Sequence, residues 1–375
     1  MRILQLGKAY PPANLGGVEV VIKLLTEGLN DHNIKCDALG VNDKCKFEVE
    51  DYRQGKIFRS RLIFKKFSTL FSFQLIRVLF KIQHNYDIIH IHSPDPMAAI
   101  ALWLVKPKCK IVLHWHSDII RQKKLLYFFE PFLSWLLKRS DVIFATSPNY
   151  INGSKHLQKH AKKCVVLPIG INLEKGRIVE KVERFNRFTG KKIIFSLGRL
   201  AYYKGFKYLI LAGKFLKENE IIIIAGCGEE MTQLQQLINS ENLEKSVFLV
   251  GKVTEVEKFW LYEHATAFVL SSIYKTEAYG IVQVEALAFG LPIVSTRIAG
   301  SGVDFVNKHN VSGLTVNIAD SFEIGQALRQ IIDNAKSYQA YSVNARNRYL
   351  EYFTQDKMIL SVIQQYKLLL SDSTF

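Results

Sequence analysis

Residues 267–292 read AFVLSSIYKTEAYGIVQVEALAFGLP. AFVLSS has the apolar and aromatic character of a strand, and IYKTEAYG reads as a loop. IVQVEALAFG reads as a helix closed by Gly290 and followed by the stop signal Pro292. Strand, loop and helix in succession form the unit of a parallel sheet with crossover helices. On this reading Glu277 falls in the loop at the strand's carboxyl end, and Glu285 on the second turn of the helix. The backbone N–H groups at Gly280, Ile281 and Val282 are the unpaired donors of a helix start and favour a phosphate. A carboxylate beside a phosphate site is electrostatically poor unless it accepts hydrogen bonds from hydroxyls, for which sugars are the obvious source. Taken alone, this spacing fits a loop decoration and a solvated helix face equally well, so the rest of the chain decides.

Outward from this stretch the same alternation recurs. RILQLG, CDALGV, YDIIHIH, KIVLHWH, DVIFATS and CVVLPIG form one series of strand-like runs with helical patterns between them. KKIIFSLGR, EIIIIAG, VFLVGKV, AFVLSS, PIVSTR and GLTVN form a second. Two series predict two doubly wound α/β domains, residues 1–172 and 191–355, joined by the charged linker 173–190. The chain from about Tyr341 reads as helix, and residues 356–375 are expected to pack back on the first domain. Ligands in such folds sit at carboxyl strand ends where the strand order reverses, so the domains should face each other across a cleft that holds the active site.

Composition narrows the class. A chain of 375 residues with 48% hydrophobic and 22% charged residues excludes disorder and fibrous repeats. Its five cysteines form no CxxC pair, which argues against a disulfide framework or zinc site and for a reducing cytoplasm. MRILQLGKAY runs into Pro11 and Pro12 and lacks the pattern of a signal peptide. No uncharged apolar run reaches the roughly 18 residues that span a bilayer. The net charge of +16 is uneven: residues 1–190 carry 31 basic against 16 acidic side chains, and residues 191–375 carry 19 against 18. The first half should therefore meet an anionic partner.

Three further segments carry candidate chemistry. SLGRLAYYKGFKYLI ends a strand at Leu197, turns at Gly198 and starts a helix near Gly205, which brings Arg199 and Lys204 to the sheet edge. A guanidinium fork and a compact ammonium suit a diphosphate, although either cation alone is more often an ordinary surface charge. Gly16 and Gly17 precede a helix and allow close backbone approach, a weak signal by itself. Neither this segment nor GCGEE at 226–230 is GxGxxG, which disfavours a nicotinamide cofactor. HWHSD offers His114, His116 and Asp118 at a strand end. With no third ligand cluster evident no metal is expected, and His116 is favoured over His114 and His90 to contact a sugar or a developing positive charge.

Together these segments resemble the retaining glycosyltransferases of family 4, which have the GT-B fold of two Rossmann-like domains. The matching pieces are GGVE at 16–19, HWHSD at 114–118, GRLAYYKG at 198–205, GCGEE at 226–230 and EAYGIVQVEA at 277–286. The resemblance implies that Arg199 and Lys204 bind the donor's diphosphate, Glu277 the transferred sugar and Glu285 the nucleotide ribose. Gly280, Ile281 and Val282 would offer backbone amides to the phosphate. His116 would sit by the reacting carbon, with Gly16 and Gly17 near donor and acceptor and Asp118 on the acceptor side. Tyr279 stands where the family usually has Phe, and PIGIN at 168–172 departs from a PNGVD-like pattern. No cofactor or metal is implied, because the nucleotide-diphosphate sugar is itself a substrate.

The acceptor is addressed by the basic apolar segments 56–81 and 121–139, which suit an anionic bilayer surface better than nucleic acid, since no recognition motif accompanies the charge. A core helix with a solvated basic face is the alternative for both. The expected activity is transfer of a mannose-like sugar from GDP or UDP to a lipid-linked or lipopolysaccharide acceptor, by a protein peripheral on the inner face of the cell membrane. A nucleotide-sugar epimerase of the same fold and a non-catalytic binding module are the competing readings.

Overall fold

The apolar runs quoted above all form strands in the computed structural model, which describes residues 1–12, 16–66, 69–119, 123–173 and 182–371. The chain divides into two units, Met1–Ile169 with Gln355–Phe375, and Gly170–Thr354.

The first unit holds β1 (Arg2–Leu6), β2 (Lys35–Val41), β3 (Glu48–Tyr52), β4 (Gly55–Ser60), β5 (Phe64–Lys66), β6 (Thr69–Phe71), β7 (Ile88–Ser93), β8 (Lys110–Trp115), β9 (Val142–Ala145) and β10 (Cys164–Val166). Its main sheet runs in the order β10-β9-β8-β7-β1-β2-β4-β3. All neighbours are parallel except β3 and β4. The order reverses between β1 and β7. The second unit holds β11 (Lys192–Leu197), β12 (Glu220–Ala225), β13 (Val247–Gly251), β14 (Ala265–Leu270), β15 (Ile293–Thr296) and β16 (Gly313–Val316). Its parallel sheet runs β13-β12-β11-β14-β15-β16 and reverses between β11 and β14. Both sheets are covered on both faces, so their central strands read as unbroken apolar runs: Ile221 to Ile224 are all buried.

Three expectations change. Residues 56–81 are not one surface segment. Gly55–Ser60 is an internal strand, followed by the β5–β6 hairpin and the helix Phe73–Ile82. Arg59 is tolerated inside because its guanidinium donates to the carbonyls of Tyr10 (2.6 Å) and Pro11 (2.9 Å) and meets Glu50 at 3.2 Å. The tail is two helices, Ala335–Tyr352 and Gln355–Ser371. At the break the Phe353 carbonyl accepts from the Ile171 N–H at 2.9 Å. The last helix lies in the first unit, with Met358, Ile359, Val362 and Tyr366 buried; Gly28 makes room for it, since a Cβ there would stand 2.5 Å from Ile359 Cγ1. Of the linker, residues 174–181 lie outside the described residues. Glu183–Phe188 forms a short 3-10 turn whose Phe185 and Phe188 are buried against Trp260 and Phe248, so two aromatics tie this charged stretch to the second unit.

Candidate active site

The second unit's switch point is built from the loops that leave β11 and β14. After β11 the chain turns through Gly198 and a 3-10 turn, Tyr202–Lys204, then enters the helix Phe206–Ala212 through Gly205 at φ +63°. A Cβ on Gly205 would stand 2.2 Å from the Ser271 carbonyl. The two loops are joined across that contact: Ser271 Oγ donates to the Lys204 carbonyl (3.0 Å) and the Ile273 N–H to the Tyr203 carbonyl (2.8 Å). Gly198 lies under the Lys204 side chain, 3.3 Å from Nζ to where a Cβ would be. The GCGEE segment supports the same turn, because Gly226 and Gly228 approach the carbonyls of Gly198 and Leu200 so closely that a Cβ would stand 1.9 and 2.2 Å away.

Lys204 and Glu277 meet directly. Nζ lies 2.5 Å from Oε2, and both side chains are buried. Ser272 Oγ donates to the same oxygen at 2.8 Å, and Ser301 Oγ donates to the Glu277 carbonyl at 2.5 Å. Burial works against the Lys204 charge, and the Glu277 carboxylate outweighs it, so the ammonium is held above its ordinary range. Glu277 Oε1 has no protein partner among the described residues. Sequence reasoning gave these two residues separate ligands and missed both the pair and the serines; GSG at 300–302 was the available signal for Ser301.

Gly280, at φ +73°, caps the helix Ile281–Ala288 and leaves the amides of Ile281 and Val282 in its first turn. Glu285, on the next turn, accepts from Tyr262 Oη at 2.8 Å and faces Lys258 Nζ at 3.1 Å. Arg199 is exposed and meets Glu229 at 3.0 Å, so among the sequence-predicted groups it stays apart from the buried pair.

In the first unit His116 follows β8. It is buried, with Nε2 2.9 Å from His92 Nδ1, and desolvation pushes its pKa down to about 3. Asp118 is engaged by the protein: Oδ1 accepts from Trp115 Nε1 (3.1 Å) and Ser154 Oγ (2.7 Å), which fixes the loop after β8. Gly16 is an extended N-cap to the helix Gly17–Asp31, and Gly17 has open space where a side chain would go. A second pair of histidines joins the first, as His90 and His92 of β7 lie beside His114 and His116, a grouping that the sequence analysis did not make.

Two Rossmann-like units, the second with a buried ammonium and carboxylate at its switch point, define a glycosyltransferase of the GT-B class. Residues 15–175 match the family model "Glycosyltransferase Family 4" and residues 179–348 the model "Glycosyl transferases group 1". The chain belongs to this family of glycosyltransferases. It is 29% identical over 375 residues to the O-antigen chain mannosyltransferase C of Escherichia coli, with 100% of both chains covered. It is 28% identical to the D-rhamnosyltransferase WbpZ of Pseudomonas aeruginosa over 94% of this chain and 92% of that one. The sucrose-phosphate synthase of Thermosynechococcus elongatus shares the fold, with a TM-score of 0.79 at 20% identity over 100% of each chain.

Proposed function

We propose that this glycosyltransferase moves a mannose-like sugar, with retention, from a nucleotide diphosphate to a lipid-linked or lipopolysaccharide-type glycan. The buried Lys204–Glu277 pair between two loops of a switch point carries the reading. Cleavage of an anomeric carbon–diphosphate bond produces an oxocarbenium-like cation and an anionic leaving group, so a fixed cation and helix amides serve it better than a strong nucleophile. Lys204 and the amides of Ile281 and Val282 supply them, with Arg199 reaching the diphosphate from the surface. Glu277 Oε1 accepts from a sugar hydroxyl, and Glu285 from the ribose. The glycan class rests on the printed activities of the two curated relatives.

Membrane contact is supported by the helix Phe73–Ile82, whose exposed side presents Phe73 and Phe80 with Arg77 and Lys81. Aromatic and basic residues on one helical face suit the headgroup boundary of an anionic leaflet. No helix among the described residues is long and apolar enough to cross a membrane.

The test is nucleotide diphosphate release from UDP-, GDP- and dTDP-sugars in EDTA, with and without a bacterial glycolipid extract. Release from one donor that needs lipid and is lost in Glu277→Ala is the expected result. Lipid-independent turnover to an isomerised sugar would make the protein an epimerase, and binding without turnover a binding module.

A further inference from the structure

Four histidines lie together along two neighbouring strands, His90 and His92 of β7, His114 of β8 and His116 just after it. Their rings stack, with centroids 4.8 Å apart for His90–His92, 5.2 Å for His92–His116 and 4.2 Å for His114–His116. The ring nitrogens of His90, His92 and His114 lie within 4.8 Å of one another. A metal nonetheless fits poorly, because a ligand nitrogen bonds in the plane of its ring and near-parallel planes do not meet at one point. What the stack does support is a line of hydrogen bonds.

His92 is the centre of that line. Its Nδ1 is 2.9 Å from His116 Nε2, and its Nε2 is 2.8 Å from Gln5 Oε1. All three side chains are buried, and burial holds both rings well below the ordinary histidine range, so each is neutral and carries one proton. A neutral imidazole donates from one nitrogen and accepts at the other. The Gln5 oxygen only accepts, so His92 donates from Nε2 and accepts at Nδ1. His116 in turn donates from Nε2. Its Nδ1 is left as an acceptor with no protein partner among the described residues.

We propose that Gln5 and His92 are positioning residues that fix His116 in its Nε2-H tautomer and so present the Nδ1 lone pair to a hydroxyl of the sugar. This rests on the reading of His116 as a sugar contact. A neutral acceptor, rather than an imidazolium, is then what the first unit contributes to the reaction.

The tautomer is read directly from two-bond 15N–1H spectra of the full-length protein labelled at histidine, with His116→Gln to assign its ring. The wild type should show His116 as the Nε2-H form, and His92→Phe should shift its two nitrogens toward an average of both tautomers. His92→Phe should also lower kcat, by up to about 10²-fold, with KM little changed. His92→Asn, which restores an acceptor where Nδ1 stood, should recover most of the rate. A wild-type Nδ1-H tautomer, or spectra of His116 unchanged in His92→Phe, would overturn the proposal. Full activity in His116→Ala would instead overturn the sugar-contact reading and leave the tautomer result to stand by itself.

Discussion

The two units share a topology but treat charge in opposite ways. Where β11 and β14 end, a buried ammonium faces a buried carboxylate, and Ser272 donates to the carboxylate while Ser301 donates to the backbone carbonyl of the same glutamate. At the ends of β7 and β8 the buried groups are neutral imidazoles that reach an amide in β1. Desolvation explains the difference. A buried charge survives only with a fixed counter-charge and further hydrogen bonds, and without them the group gives up its proton instead. The same fold therefore holds a buried ion pair at one switch point and neutral imidazoles at the other.

The largest effects should come from breaking the charged half. Lys204→Ala is expected to lower turnover by about 10²–10³-fold, read as nucleotide diphosphate release, because the leaving group loses its cation. Glu277→Ala leaves Lys204 buried and unpaired and should cost about 3–5 kcal/mol in urea unfolding; an unmoved midpoint would mean that the pair is absent in solution.

The two halves should also fail at opposite ends of the pH scale. Lys204 has a raised pKa, so its contribution is complete below roughly pH 10.4 and is lost only as pH climbs beyond that. The histidines have lowered pKa values. The unfolded chain takes up protons below roughly pH 6.5 that the folded chain refuses, so stability falls as pH drops from there toward 3. Calorimetry between pH 7 and 4 should show this decline. His114→Phe, at a ring with neither nitrogen partnered among the described residues, should flatten it.

Glycine substitutions sharpen the contrast on a smaller scale. Gly205→Ala forces a side chain at φ +63° into the Ser271 carbonyl and should cost about 1–3 kcal/mol. Gly17→Ala meets nothing within 4 Å and should be neutral or stabilising by about 0.4–1 kcal/mol. Smallest is Arg199→Ala. Its exposed pair with Glu229 contributes about 0–1 kcal/mol, so melting should hold steady while KM for the donor rises.

The sheets were legible in the sequence because fully buried parallel strands leave continuous apolar runs, as EIIIIA does in β12. β3 and β4 were not, since GKIFRS carries two cations that a strand accepts only when carbonyls and a carboxylate from elsewhere receive Arg59. Lys204 and Glu277 could be placed by their loops, but their contact joins residues 73 positions apart and depends on β11 lying beside β14. The His92–His116 bond was hidden for the same reason: HIH and HWH each read as a pair, and only the register His92↔His114 merges them.

Gln355–Phe375 belongs to the unit that begins at Met1, so the first body is made of two chain segments and the second of one. Synthesis proceeds from the amino terminus, and domains usually fold in that order. Here the order inverts. The second unit has all its residues before the first does, and the helix that buries Tyr366 beside His90 is made after it. A ribosome stalled at Thr354 would have joined every residue of the second unit while the first still lacked a wall.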